Sequence, residues 1–169
     1  KHLIIIGAGV IGLELGQVYN RLGSKVTVIE YSNKITPFMD EDISRELLKV
    51  LKKQKINFLL SHEVFEVNNK NNLVITKAKD KDGRIIEFES DYCLVSVGRK
   101  AYTEGLGLEK INLETEKNGK IIIDKFFRTS LDNIYAIGDV VNGPMLAHKA
   151  EEEGIAVAEI LKNQKPHIN

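Results

Sequence analysis

A chain of 169 residues that is 43% hydrophobic is long enough to bury one sizeable core. Its 24 basic groups balance 24 acidic ones without a basic block, and only 7% of residues are aromatic, which argues against nucleic-acid binding. No apolar run reaches the length of a bilayer span, and the single cysteine, Cys93, excludes an intrachain disulfide.

Lys1 leads straight into the apolar run Leu3-Ile4-Ile5-Ile6, with neither an initiator methionine nor a secretory signal. The start looks like a cut in a longer protein, and the length suits one domain, or one plus part of another. Behind the first run stands Gly7-Ala8-Gly9-Val10-Ile11-Gly12. In a GxGxxG turn the first glycine makes the tight bend off the strand. The second lets bare backbone approach a pyrophosphate, and the third lets the helix lie close to the sheet. A glycine turn of this kind can also serve strand-to-helix packing alone. The residues that follow favour the cofactor. Ile11, Leu15, Val18, Tyr19 and Leu22 recur at helical spacing, Gly23 sits where a C-terminal cap belongs, and Lys25-Val26-Thr27-Val28-Ile29-Glu30 resumes as a strand. An acid at the end of a second strand, about 20 residues past the turn, can accept hydrogen bonds from a ribose and repels a 2′-phosphate. The stretch after Glu30 offers Lys34 and no arginine, so the pattern predicts NAD rather than NADP. A solvated strand-end acid is the plainer alternative for Glu30.

A loop with Pro37 follows, and the acidic cluster Asp40-Glu41-Asp42 marks the start of a helix. Ile43, Leu47, Leu48, Val50 and Leu51 keep its helical period to about Gln54. Residues 56–60 predict a strand. Residues 64–67, 73–79 and 84–88 predict a β-meander, punctuated by the Asn-rich stretch 68–72 and by Asp80-Lys81-Asp82-Gly83. Residues 92–97 read as a central parallel strand with Cys93 at an interior position, a small buried hydrophobe rather than a nucleophile. A βαβαβ core closes at Gly98-Arg99, which sets a first domain at residues 1–100.

Residues 101–169 differ in kind. An irregular segment contains Gly105, Gly107 and Gly119, then come short β runs at 121–123 and 133–137. A helix spans about 146–161, with Ala147, Ala150, Ile155, Ala158 and Leu161 as its small or apolar positions. His2, His62, His148 and His167 are scattered without ligand spacing, so no metal site is expected.

The stretch Thr129-Ser130-Leu131-Asp132-Asn133-Ile134-Tyr135-Ala136-Ile137-Gly138-Asp139, with Gly143-Pro144-Met145-Leu146-Ala147-His148-Lys149-Ala150, closely resembles the flavoprotein disulfide reductases. The opening run through Leu13-Glu14-Leu15-Gly16 and the junction Val97-Gly98-Arg99 resemble them too. The likeness covers essentially the whole chain and is strongest to members that oxidise dihydrolipoamide. It implies an α/β fold: a Rossmann-like parallel sheet with helices and a β-meander insertion. It also implies a C-terminal strand-helix segment, 101–169, belonging to a second, FAD-binding domain.

By the same resemblance Gly7, Ala8, Gly9, Val10, Ile11, Gly12, Leu13, Glu14, Glu30, Val64 and Gly98 would serve NAD. Glu14 would stand near the nicotinamide, Val64 by the adenine and Gly98 on the cofactor's backbone path. Asp139 would hold a ribityl hydroxyl of FAD, and Met145, Leu146, Ala147 and His148 would approach the flavin mainly through backbone. As bare residues these are an exposed helix acid, a strand valine, a strand-end glycine, a turn aspartate and a helix start.

The family's redox cysteine pair and its C-terminal histidine and glutamate are absent, so no catalytic residue is assigned and the isolated chain is expected to bind NAD without turnover. FAD retention is expected to be weak. The parent would be a homodimer serving lipoyl-bearing 2-oxoacid dehydrogenase or glycine-cleavage complexes. Its compartment would be the bacterial cytoplasm or mitochondrial matrix, with no nucleic-acid or membrane partner. The fragment is expected to self-associate through its C-terminal segment. A mercuric or other NAD(P)H-dependent disulfide reductase, or a stand-alone NAD-binding module, are the alternatives.

Overall fold

The computed structural model describes residues 1–166. It divides the chain into two compact units, the first Lys1–Gly98 and the second beginning at Arg99. In chain order the first contains β1 (His2–Ile6), α1 (Val10–Arg21), β2 (Lys25–Ile29), α2 (Glu41–Lys53) and β3 (Asn57–Leu59). β4 (Glu63–Lys70), β5 (Leu73–Lys79), β6 (Ile85–Ser90) and β7 (Tyr92–Val95) follow. β3, β2, β1 and β7 form a parallel sheet in that order, and β4, β5 and β6 form an antiparallel one. The Rossmann-like sheet and the meander are both present.

Alternate side chains of β1 and β2 enter two separate cores. Leu3, Ile5, Val26 and Val28 join Leu13, Leu51, Ile35 and Ile56 on the helical side. Ile4 and Ile29 face Ala78 of the meander, with Val64, Phe88 and Cys93 packed around them. Burial on both faces is why these strands read as unbroken apolar runs. Each such side chain contributes roughly 1.5–3 kcal/mol when fully buried.

α1 forms where expected, and its inward face is made mostly of glycines. Gly12, Leu13 and Gly16 are buried, whereas Ile11, Leu15, Val18, Tyr19 and Leu22 are exposed. The cause is steric: a Cβ on Gly16 would stand 2.9 Å from Ile5 Cδ1. The helix therefore lies against the sheet on Gly12, Leu13 and Gly16 and turns Ile11, Leu15, Val18, Tyr19 and Leu22 outward. Gly23 (φ +89°) follows the C-cap Leu22, as the sequence predicts. α2 also starts as expected: the Asp40 side chain caps it by accepting from the amides of Asp42 and Ile43. Leu51 is buried and Leu47 and Leu48 half-buried, while Ile43 and Val50 stay exposed.

β4 and β5 join through Asn71 and Asn72, both at positive φ (52° and 63°), the geometry of a tight hairpin turn. The other hairpin turn is held by Asp80, whose Oδ1 accepts the amides of Asp82 and Arg84, each at 2.9 Å. β7 is a correction. It ends at Val95 and among the described residues pairs only with β1, so it is an edge strand, and Tyr92 and Val95 are more than half exposed. An apolar run reports burial of faces, not pairing of both edges.

In the second unit the expected β runs at 121–123 and 133–137 are not strands. Only isolated bridges form, Thr115 with Ile121 and Arg128 with Tyr135. Their apolar residues instead build a small core of Leu113, Ile121, Ala136 and Val141, to which the backbone bends irregularly: the Ile121 amide donates to Val140 and that of Ala136 to Phe127. A 3-10 turn at Gly138–Val140 leads to α3 (Ala147–Leu161), of which only Ala156 is buried. His167 lies outside the described residues. Among the described residues no helix is long and apolar enough to cross a membrane, and no group of three His, Cys, Asp or Glu side chains could hold a metal ion.

Candidate functional site

The turn between β1 and α1 assigns its three glycines different physical duties. Gly7 adopts φ +99°, and a Cβ there would lie 2.6 Å from the Ser96 carbonyl oxygen. A Cβ on Gly12 would stand 2.5 Å from Ser96 Oγ and 3.1 Å from Ile5 Cγ2, and would collide with the Gly7 carbonyl as well. Gly9 is the opposite case. It is the N-cap of α1 at φ −76°, and a Cβ built on it meets nothing within 4 Å. No side chain caps α1, and its first turn carries no acid. The unpaired amides and the positive end of the helix dipole thus open onto free space, which suits an anion.

Glu30 is not a loose strand-end acid. It follows β2 directly and is 9% exposed. Its Oε2 accepts the Ala8 amide at 2.6 Å, and its Oε1 accepts the Ser32 amide at 2.8 Å. Ala8, fully buried, also accepts the Thr36 amide on its carbonyl at 2.9 Å. Ser96 Oγ donates to the carbonyls of Ile6 (2.9 Å) and Gly7 (3.2 Å), bracing the turn from β7's side. In the sequence Ser96 sits inside an apolar run and Thr36 inside a polar loop, so neither carries a local signal of this role.

The remaining residues expected around NAD are more dispersed. Val10 and Ile11 are exposed at the start of α1, Leu13 is a core residue and Glu14 faces solvent. Val64 packs half-buried against the core of Ile4, Ile29 and Ala78, and Gly98 (φ +112°) is the exposed last residue of the first unit. Cys93 is half-buried on β7, and burial pushes its thiol above the ordinary range, which fits a packing role.

In the second unit Asp139 lies in the 3-10 turn and its Oδ2 pairs with Arg99 Nη1 at 2.8 Å. Arg99 Nη2 also donates to the Met145 carbonyl, so one guanidinium joins both ends of the 139–145 loop. Gly138 (φ +74°) precedes them, with its amide donating to Glu153 Oε2 at 2.7 Å. Glu153 Oε1 pairs with Lys149 Nζ at 2.7 Å, the two side chains being only 13% and 18% exposed. Met145 is half-buried, Leu146 is the N-cap of α3 without a side-chain cap, and Ala147 and His148 are exposed in its first turn. The four-residue spacing of Lys149 and Glu153 is a visible helical pair. Nothing in the sequence shows that it reaches back to Gly138.

Residues 1–154 match the family described as pyridine nucleotide-disulphide oxidoreductase. The protein belongs to that family. It is 49% identical over 169 residues to a dihydrolipoyl dehydrogenase of Cupriavidus necator, covering all of this chain and 36% of the relative. It is 45% identical over 172 residues to the mitochondrial dihydrolipoyl dehydrogenase 2 of Arabidopsis thaliana, covering all of this chain and 34% of that one. Among solved structures it is similar to the HOCl-induced flavoprotein disulfide reductase RclA of Escherichia coli. There the TM-score is 0.85 at 27% identity, over 98% of this chain and 37% of the other. This pyridine nucleotide-disulphide oxidoreductase chain therefore spans about a third of the length of its relatives.

Proposed function

We propose that residues 1–100 form the NAD-binding domain of a dihydrolipoyl dehydrogenase and that residues 101–169 are part of its FAD-binding and central region. The observation that carries the first half is the bare start of α1, open at Gly9, uncapped and free of acids, beside the buried carboxylate of Glu30. The amides of Gly9, Val10, Ile11 and Gly12 would receive the pyrophosphate. Glu30 orients the turn through Ala8 and would repel a 2′-phosphate, which favours NAD over NADP. Glu14, Val64 and Gly98 would flank the rest of the dinucleotide.

In the second unit the carboxylate of Asp139 and the uncapped start of α3 at residues 145–148 are the groups suited to FAD. The former would accept from a ribityl hydroxyl, and the latter would offer amides to negative charge on the ring. When both are bound, FAD supplies electron relay from a dithiol and NAD supplies the hydride acceptor. One cysteine in 169 residues leaves this chain without a dithiol of its own, so NAD binding without turnover is the expected behaviour. The 45–49% identity to dihydrolipoyl dehydrogenases favours a dihydrolipoamide substrate for the parent over that of another disulfide reductase. The parent would act as a homodimer with lipoyl-bearing complexes in a reducing compartment, bacterial cytoplasm or mitochondrial matrix.

Calorimetric titration of the 169-residue protein with NADH and NADPH tests the site. NADH is expected to bind and NADPH to bind more weakly, with Glu30→Arg shifting preference toward NADPH. No NADH binding at millimolar concentration would overturn the assignment. A yellow, flavin-loaded preparation would overturn the expectation of weak FAD retention.

A further inference from the structure

We propose that Thr36 is a positioning residue of the dinucleotide turn, and that its buried hydroxyl pair with Ser44 holds its backbone in the conformation the turn requires. The proposal rests on the NAD reading of residues 7–12. Thr36 is 3% exposed and adopts φ +42°, a left-handed conformation that is unfavourable for a β-branched residue. A residue is held there only when its surroundings over-determine it.

Those surroundings are specific. The Thr36 amide donates to the Ala8 carbonyl at 2.9 Å, while the Ala8 amide donates to Glu30, so the peptide between Gly7 and Gly9 is gripped from both sides. Ser44 Oγ lies 2.8 Å from Thr36 Oγ1 and donates to the Thr36 carbonyl at 3.3 Å. With the Ser44 proton on that carbonyl, the Thr36 hydroxyl is the donor of the shorter bond, and the two residues close a ring. Ser44 is itself 3% exposed and fixed in the first turn of α2, its amide donating to Asp40 at 3.0 Å. Ile35, 1% exposed, anchors the chain on the other side. Rotation of Thr36 to a negative φ would open this ring and withdraw its amide from Ala8. The start of α2 is thereby coupled, through Ser44, Thr36 and Ala8, to the glycine turn that opens α1.

What the turn needs from position 36 is a backbone conformation and an N–H, not a hydroxyl. Glycine adopts positive φ without strain, so it supplies both unaided. NADH binding and residue-resolved amide exchange are measured on the unsubstituted 169-residue protein and on Thr36→Val, Ser44→Ala, Thr36→Gly and the Thr36→Gly/Ser44→Ala double variant. Losing the hydroxyl pair in Thr36→Val or Ser44→Ala weakens NADH by about three- to tenfold, the worth of one backbone hydrogen bond. It also speeds exchange of the residue 36 amide. Thr36→Gly and the double variant bind NADH within about twofold of the unsubstituted protein and keep that amide slow, although they too lack the pair. A residue that merely stabilised the fold would lower thermal stability in all four without this split. Equal NADH affinity and equal amide exchange in Thr36→Val and Thr36→Gly would overturn the proposal. If Thr36→Val does not fold, Ser44→Ala and its rescue by Thr36→Gly carry the same comparison. If the unsubstituted protein fails to bind NADH, the NAD reading falls, and the exchange pattern alone decides the role of Thr36.

Discussion

The carboxylate of Glu153 accepts the Gly138 amide at 2.7 Å, so α3 reaches back to the turn that carries Asp139. The same carboxylate pairs with Lys149, and Lys149 Nζ stands 3.5 Å from the Gly138 carbonyl. One helical ion pair thus satisfies both polar groups of a single glycine. Glu153→Ala would leave a largely buried ammonium without its counter-charge and the Gly138 amide without an acceptor. We expect a loss of about 3 kcal/mol in the second unit, read by urea unfolding. Glu153→Gln, which still offers an oxygen to Gly138, should recover part of it. An unfolding midpoint unchanged in Glu153→Ala would refute the clasp.

Gly9 and Gly12 sit three residues apart in one motif and should fail in different ways. A side chain at Gly12 meets the Gly7 carbonyl, Ser96 Oγ and Ile5, so Gly12→Ala is expected to cost about 1–3 kcal/mol of stability by overpacking. A side chain at Gly9 meets no protein atom within 4 Å, and its φ of −76° suits any residue. Gly9→Val should therefore lose NADH while costing stability at most about 1 kcal/mol, the penalty of a poorer N-cap. Thermal melts beside NADH titrations make the comparison. A destabilised Gly9→Val that still binds would reverse the two roles.

His2 predicts a pH dependence of stability. Burial, aided by Lys25, holds its folded pKa below the ordinary 6.5. Nδ1 contacts the Glu89 carbonyl and Nε2 the Thr27 hydroxyl, each at 3.0 Å. The unfolded chain then binds the proton more readily than the folded one, so this contribution is present above pH 6.5 and is lost as pH falls through 6.5 toward the lower folded value. Melting temperatures followed from about pH 7 down to pH 5 should decline, and His2→Gln should flatten the decline. Asp91, which accepts the His2 amide at 2.6 Å, has its carboxyl held below the ordinary 3.8, and its contribution disappears only at more acid pH.

The outer side of α3 exposes Ala147, Ile155, Ala158 and Leu161, with Ile155 at 60% and Leu161 at 64%. We expect this face to drive association between copies of the isolated chain. Light scattering across a concentration series should show a mass above the monomer, and Ile155→Glu with Leu161→Glu should return it to the monomer. A monomer at every concentration in the unsubstituted protein would count against the association.

Local features were the ones legible in advance. The glycine turn, the Asp40 cap, the Gly23 stop and the Asn-rich hairpin each depend on residues within a few positions of one another, and each appears where its chemistry places it. The inward face of α1 is one that a hydrophobic period does not mark. Large apolar residues dominate a periodicity, yet the closest helix-to-sheet contact is made by residues without side chains, Gly12 and Gly16. The runs at 121–123 and 133–137 are apolar enough for strands but have no partner strand among the described residues, and their side chains form a core instead of a ladder.

The sequence by itself therefore determined the type of turn that opens α1, since three glycines and a following helix specify it through sterics acting over six residues. Only the tertiary structure decided what holds that turn in shape: Glu30 on one side of Ala8, Thr36 with Ser44 on the other, and Ser96 beneath Gly7. These are hydrogen bonds between residues 8 to 89 positions apart. Such bonds leave no periodicity or composition in the chain, because they depend on where the folded backbone brings a donor to an acceptor.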